Sequence, residues 1–144
     1  MANSEHILIS LESRHAENIF AGQKLVELRR RSMNVSAGAT VWIYVKVPVG
    51  SIVGRAKIGK IHSSSPASLW RHYGKVSGLS KTEFFDYFCG SERGVALVLE
   101  DSTRLRSTLS LESLRQLDEG FQPPQFFARL GSEHPLHDAV TLSV

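Results

Sequence analysis

The 144-residue chain predicts an α+β domain built on a small mixed β-barrel with flanking helices. Three observations predict it. Long β-type runs carry large groups on both parities, so their sheet is covered on two sides. Serine and proline start signals announce short helices between those runs. The elements follow in the order strand, helix, three strands, two helices, strand, short helix, strand.

His6 to Ser10 is a short apolar run with β-branched residues, the pattern of a buried strand. Ser13 stands where a helix cap belongs, ahead of a helix from Arg14 to about Ala21. Ala16, Ile19 and Phe20 share its inner face, and Gly22 ends it in the left-handed conformation. Leu25 to Arg31 reads as a strand with Val26 and Leu28 on one face and Glu27, Arg29 and Arg31 on the other. Lys24 has the parity of the apolar face, but its long stem is able to carry the ammonium out to water. Ser32 to Ala39 is a loop turning at Gly38.

Thr40 to Val47 is the strongest strand, with Val41, Ile43, Val45 and Val47 alternating with Trp42, Tyr44 and Lys46. One face suits a barrel interior, the other a helix or a ligand. Ser51 to His62 is a second long strand, with Arg55 and Lys57 on one parity and Ile52, Ala56 and Ile58 on the other. Its Gly54 and Gly59 fit close backbone approach in a curved sheet. Ser65 caps a helix with Pro66 at its first position; the helix carries Leu69, Trp70 and Tyr73 and stops at Gly74. Ser80-Lys81-Thr82-Glu83 is a capping box for an aromatic helix that closes at Gly90. Val95 to Glu100 is another buried-type strand, and Ser110 to Gln116 has room for one or two helical turns. Pro123 to Leu130 is an extended run placed to close the sheet. Beyond Gly131 the pattern weakens into a partly ordered tail, so the domain is taken as residues 6–130 and the tail as 131–144.

Composition narrows the functional classes. The length supports one domain with a real core. A net charge of +3 permits an anionic partner without requiring one. A single cysteine, Cys89, excludes an internal disulfide framework and suits a reducing, cytoplasmic setting. No apolar run is long enough to cross a bilayer, and Met-Ala-Asn-Ser-Glu-His lacks the basic and apolar regions of a signal peptide. Three patterns carry no function. Gly54 to Ile61 nearly matches a P-loop, but Ile61 stands where Ser or Thr would hold magnesium, and the segment reads as strand. Glu133, His134, His137 and Asp138 flank a proline that breaks zinc-site spacing. Cys89, within an aromatic run, reads as a buried filler. The residues call for no metal and no cofactor.

Gly22 to Arg29 matches Gly-x-Lys-x-x-Glu-x-Arg. With the Tyr44 strand, the Pro48…Gly54 step, Leu69-Trp70, the Gly78…Phe88 helix and Pro124-Gln125-Phe126, it resembles the ASCH (activating signal cointegrator homology) family over residues 6–130. The resemblance implies a PUA-like β-barrel with a cleft beside the motif, in a superfamily regarded as binding RNA or nucleotides. One bacterial branch deacylates N4-acetylcytidine and another is reported to cut RNA. The deacylase branch shares the lysine, but has threonine at the position of Glu27 and a glutamate near the position of Ser77.

The side chains admit matching chemistry. Lys24 offers three donors and a charge to a phosphate or an oxyanion, and the same placement simply complements a helix dipole. Glu27 and Arg29 are near enough to pair; alternatively Glu27 accepts a base N–H or acts as general base while Arg29 binds phosphate. Tyr44 and Trp70 suit base stacking or a core. Arg30, Arg31, Arg55 and Lys57 suit a phosphate-tracking rim or a solvated face. Gln125 suits a base edge. The expectation is a module binding RNA or a nucleoside through Lys24, Glu27, Arg29, Tyr44, Arg55, Trp70 and Gln125. The alternative is a hydrolase, an amidohydrolase or ribonuclease, using Lys24 and Glu27. A third reading is a protein-interaction role in transcription.

Overall fold

A computed structural model describes residues 5–144; the first four residues, part of the stretch read above as lacking a signal peptide, lie outside the described residues. The strands are β1 (His6–Leu11), β2 (Val26–Arg29), β3 (Thr40–Val45), β4 (Ser51–Ser64), β5 (Gly94–Ser110) and β6 (Ala128–Arg129). The helices are α1 (Ser13–Phe20), α2 (Pro66–Tyr73), α3 (Lys81–Tyr87), α4 (Leu111–Leu117) and α5 (His137–Leu142). The strands form one mixed sheet in the order β2-β5-β4-β3-β1-β6, curled into a half-barrel. Only β1 and β3 run parallel; the other neighbours are antiparallel. The expected α+β class is the one observed.

Alternation along the strands sorts side chains onto the two faces of the sheet. Ile7 and Ile9 of β1, Val41, Ile43 and Val45 of β3, Ala56 and Ile58 of β4, and Val95, Leu97 and Leu99 of β5 form the inner core, capped by Ile19 of α1. On the outer face Leu8, Trp42 and Tyr44 pack with Leu114, Phe121, Leu136 and Val140. A third cluster sets Val26, Leu28 and Ala96 against Leu69, Phe84 and Phe88 of the two middle helices. Both faces of β3 are therefore covered, and the cover on the outer face is protein.

The local signals act where the sequence placed them, with one exception. The Ser65 hydroxyl accepts from the Ser68 N–H at 3.2 Å behind Pro66, and Ser80 and Glu83 exchange both bonds of a capping box. Gly22, Gly38 and Gly90 all have positive φ. Ser13 is not the cap of α1; it is the first helical residue, and Glu12 occupies the cap position with no side-chain bond.

Four larger differences have physical causes. The register of β3 on β4 shifts between Ile43 and Tyr44, which leaves Val53 as an extra residue. Ile52 then faces the outer core while Ala56 and Ile58 face the inner one, so the three do not share a face. Strand β5 continues well past Glu100, through Asp101 at φ 53°, as a ribbon paired with β4. The run from Pro123 pairs with β1 over two residues only and ends the sheet at an edge instead of closing it. Residues 131–144 are not a loose tail: α5 forms, and Leu136 and Val140 are fully buried in the outer core.

Candidate functional site

The motif residues sit where α1 hands over to β2. Gly22, at φ 78°, turns the chain out of the helix, and Gln23 and Lys24 both return their N–H groups to the Asn18 carbonyl. Strand β2 then presents Val26 and Leu28 to the helices and leaves Glu27 and Arg29 on the opposite face, beside Leu97 and Val95 of β5. A cleft of about 470 Å³ opens there, lined by the end of β1, the first turn of α1, the motif, Lys46 and the exposed side of α3.

Lys24 is only 3% exposed, and its ammonium donates to the Ser77 carbonyl at 2.6 Å. The expectation of a solvent-borne lysine is therefore corrected: the loop after α2 covers the stem, with Gly78 packed along it. Burial pulls the lysine below its ordinary pKa, with Arg14 and Arg29 pushing the same way and Glu27 opposing them. Glu27 and Arg29 form a buried pair at 2.8 Å, and the other arm of Arg29 donates to the Phe126 carbonyl at 2.7 Å.

Three cleft residues were not read from the sequence. His15 of α1 is half-buried, and burial, then Lys24 and Arg14, lower its pKa. Tyr87 donates to the Leu28 carbonyl at 3.0 Å, and burial followed by Glu27 raises its pKa. Ser10, one residue before the end of β1, stands at the same wall. No local signal marks His15, Tyr87 or Ser10; His15 lies in the first turn of α1, nine positions before Lys24. Among the described residues four side chains have buried polar atoms with no partner: Ser10 Oγ, His15 Nδ1, Arg29 Nε and Arg55 Nε. The first three belong to residues lining the cleft.

The remaining candidates are elsewhere. Tyr44 is 2% exposed and packs edge-on against Phe121 in the outer core, so it cannot stack a base without unfolding. Trp70 packs against Phe84 and Phe85, with Gly74 beneath its ring. Arg55 lies on the outer face near His6. Gln125 lines a second hollow of about 290 Å³ with Arg29, Arg30, Arg31, Tyr87 and Phe126. Ser77 is fully buried, its hydroxyl bonded to Gly74. It lends Lys24 only a backbone oxygen and takes no carboxylate role. Cys89 is exposed rather than buried. Among the described residues no helix is long and apolar enough to cross a membrane.

Comparison with known proteins identifies the family. The model of a family described as a domain of unknown function, DUF365, matches residues 6–132. An ASCH domain-containing ribonuclease of Zymomonas mobilis is 36% identical over 126 residues, which cover 88% of this chain and 84% of that one. The large ribosomal subunit protein uL22 of Ureaplasma parvum is 26% identical over 121 residues, 83% of this chain but 39% of that protein. The crystal structure of ASCH from Zymomonas mobilis superposes with a TM-score of 0.90 at 34% identity, covering 99% of this chain and 98% of that one. With the curled mixed sheet and these relatives in agreement, the chain belongs to the ASCH domain family.

Proposed function

We propose that the cleft beside Lys24 binds RNA by taking up one of its nucleotides, ordinary or modified. The observation that supports this is the set of unpartnered polar atoms on Ser10, His15 and Arg29. A buried polar group without a partner costs about 1–3 kcal/mol. Three residues lining one hollow carry such an atom, which fits a site whose partners arrive with a ligand. The lining has four cationic side chains, Arg14, Lys24, Arg29 and Lys46, against four carboxylates, Glu12, Glu27, Glu83 and Asp86. Such a balance favours a neutral, polar group bearing both donors and acceptors, which describes a nucleobase. Lys24 donates to a base carbonyl, Glu27 accepts an amino or imino proton, and Tyr87 forms part of the wall. One free cysteine and a mild positive charge fit a cytoplasmic RNA-binding protein.

Filter binding of single-stranded RNA tests the reading. Lys24→Ala and Glu27→Gln should each weaken binding about 10-fold or more, the loss of one hydrogen bond to a charged group. Unchanged affinity in both variants removes the proposal.

The name of the 36%-identical relative favours a second reading, cleavage of the bound strand. The 2′-oxygen attacks phosphorus, its proton passes to a base, and the bond to the 5′-oxygen breaks as that oxygen takes up a proton. Glu27 is the base expected from the sequence, but Arg29 already holds it at 2.8 Å. His15, kept neutral by burial and by its cationic neighbours, is better prepared to accept the proton. Lys24 stabilises the charge on the phosphorus oxygens. Incubation with labelled RNA should yield product with wild type, little with His15→Ala, and none when a 2′-deoxy nucleotide replaces the cut residue. Intact RNA beside clear binding retires this reading and leaves the first.

A further inference from the structure

The main cleft has a neighbour whose charge is of one sign, not balanced. The second hollow shares Arg29 and Tyr87 with the first, so the two adjoin. Its six lining residues are Arg29, Arg30, Arg31, Tyr87, Gln125 and Phe126, with three guanidinium groups and no carboxylate among them. Glu27 neutralises part of Arg29, but among the described residues Arg30 and Arg31 form no ion pair with an acidic side chain.

The three arginines are held, not loose. Arg30 donates to the Ser91 hydroxyl and the Cys89 carbonyl, both at 3.1 Å, which anchors it to the loop after α3. The Arg31 guanidinium lies 4.1 Å from the centre of the Phe126 ring, and that of Arg29 lies 6.0 Å from the same centre. Stacking on an aromatic face fixes a guanidinium plane while leaving its N–H edges available. Arg29 is more than nine-tenths buried, and its Nε has no partner. A fixed all-cationic floor is suited to phosphate, whose oxygens take two N–H groups from one guanidinium.

We infer that this second hollow holds the backbone phosphate of the nucleotide next to the one in the main cleft. The ligand is then a strand of at least two nucleotides and not a free nucleoside. This rests on the proposed function, because it takes the main cleft as the base-binding half. It goes further by assigning the two hollows separate chemistry: mixed charge for a base, positive charge for a phosphate, with Arg29 at the boundary. The same arrangement gives the strand a direction across the protein, from the mouth beside α1 toward Phe126 and Gln125.

The test compares cytidine, which has no phosphate, with a mixed-sequence single-stranded RNA hexamer. The hexamer carries 2′-O-methyl groups so that it cannot be cut at that oxygen. Wild type should bind the hexamer at least 10-fold more tightly than cytidine. The exposed pair Arg30→Gln/Arg31→Gln should lose about 10-fold in hexamer affinity and lower its salt slope by about 0.7, the share of one phosphate on a single strand. Cytidine binding should be unchanged in that variant. In wild type, the hexamer but not cytidine should shift the backbone amide resonances of Arg31, Gln125 and Phe126, a readout independent of any variant's folding. Equal hexamer affinity in the arginine variant, or equal shifts with both ligands, overturns the inference and leaves the cleft reading intact. If Lys24→Ala changes neither ligand's affinity, the cleft reading fails and the phosphate site falls with it.

Discussion

At the scale of single residues, Lys24 shows a function-like residue held at a cost to stability. A buried ammonium loses hydration, and one carbonyl at 2.6 Å replaces only part of it. Lys24→Met should therefore leave the protein as stable at pH 7 or raise stability by about 1 kcal/mol, while weakening RNA binding about 10-fold or more. The pH dependence has a definite sign. The unfolded lysine titrates near 10.5 and the folded one lower. Between those values the unfolded chain holds a proton that the folded one has released, so wild-type stability rises with pH relative to the methionine variant. Urea titrations of both proteins should show their difference shrinking as pH approaches 10.5. A variant less stable by more than about 1 kcal/mol at pH 7 would mean that the lysine serves the fold.

The motif was legible in the sequence because strand parity alone separates Glu27 and Arg29 from Val26 and Leu28. The partners were not. His15, Tyr87 and Ser10 come from three different elements, and only the curl of the sheet brings them to one wall. Tyr44 illustrates the opposite failure. Parity correctly put it on the face opposite Val41 and Ile43, but parity cannot say whether that face meets ligand or protein, and here it meets Phe121.

Among the elements, the β3–β4–β5 ribbon is the one least visible in advance. The caps at Ser65 and Ser80 are local and were readable, and each bonds the N–H expected of it. The bulge at Val53 and the left-handed Asp101 are not local, since they exist to bend two long strands together. Gly54 follows directly. A Cβ there would lie 2.2 Å from the Phe20 ring and 2.7 Å from the Thr103 carbonyl, so the ribbon and α1 touch through it. Gly54→Ala should cost about 1–3 kcal/mol by overpacking, read as a lowered urea midpoint with an unchanged slope. An unchanged midpoint would show that Phe20 swings away freely.

For the whole molecule, three clusters share one sheet, and the outer one depends on the last residues of the chain. The segment after Gly131 is short and interrupted by Pro135, so its periodicity is too brief to announce a helix. Yet Leu136 and Val140 are fully buried beside Leu8 and Trp42. Leu136→Ala should destabilise the protein by about 2–5 kcal/mol, with a matching red shift of Trp42 emission at lower urea. Retained stability would return these residues to the status of a dispensable extension.

The open side of the half-barrel adds a last consequence. Strands β2 and β6 stand at opposite ends of the sheet order, yet Arg29 of β2 bonds the carbonyl of Phe126, just ahead of β6. One guanidinium therefore works as a latch across the gap, and it is the same group that an incoming strand would engage. Occupancy then competes with closure: amide hydrogens at Ala128 and Leu130 should exchange faster in the complex than in the free protein, a loosening felt some distance from the bound base.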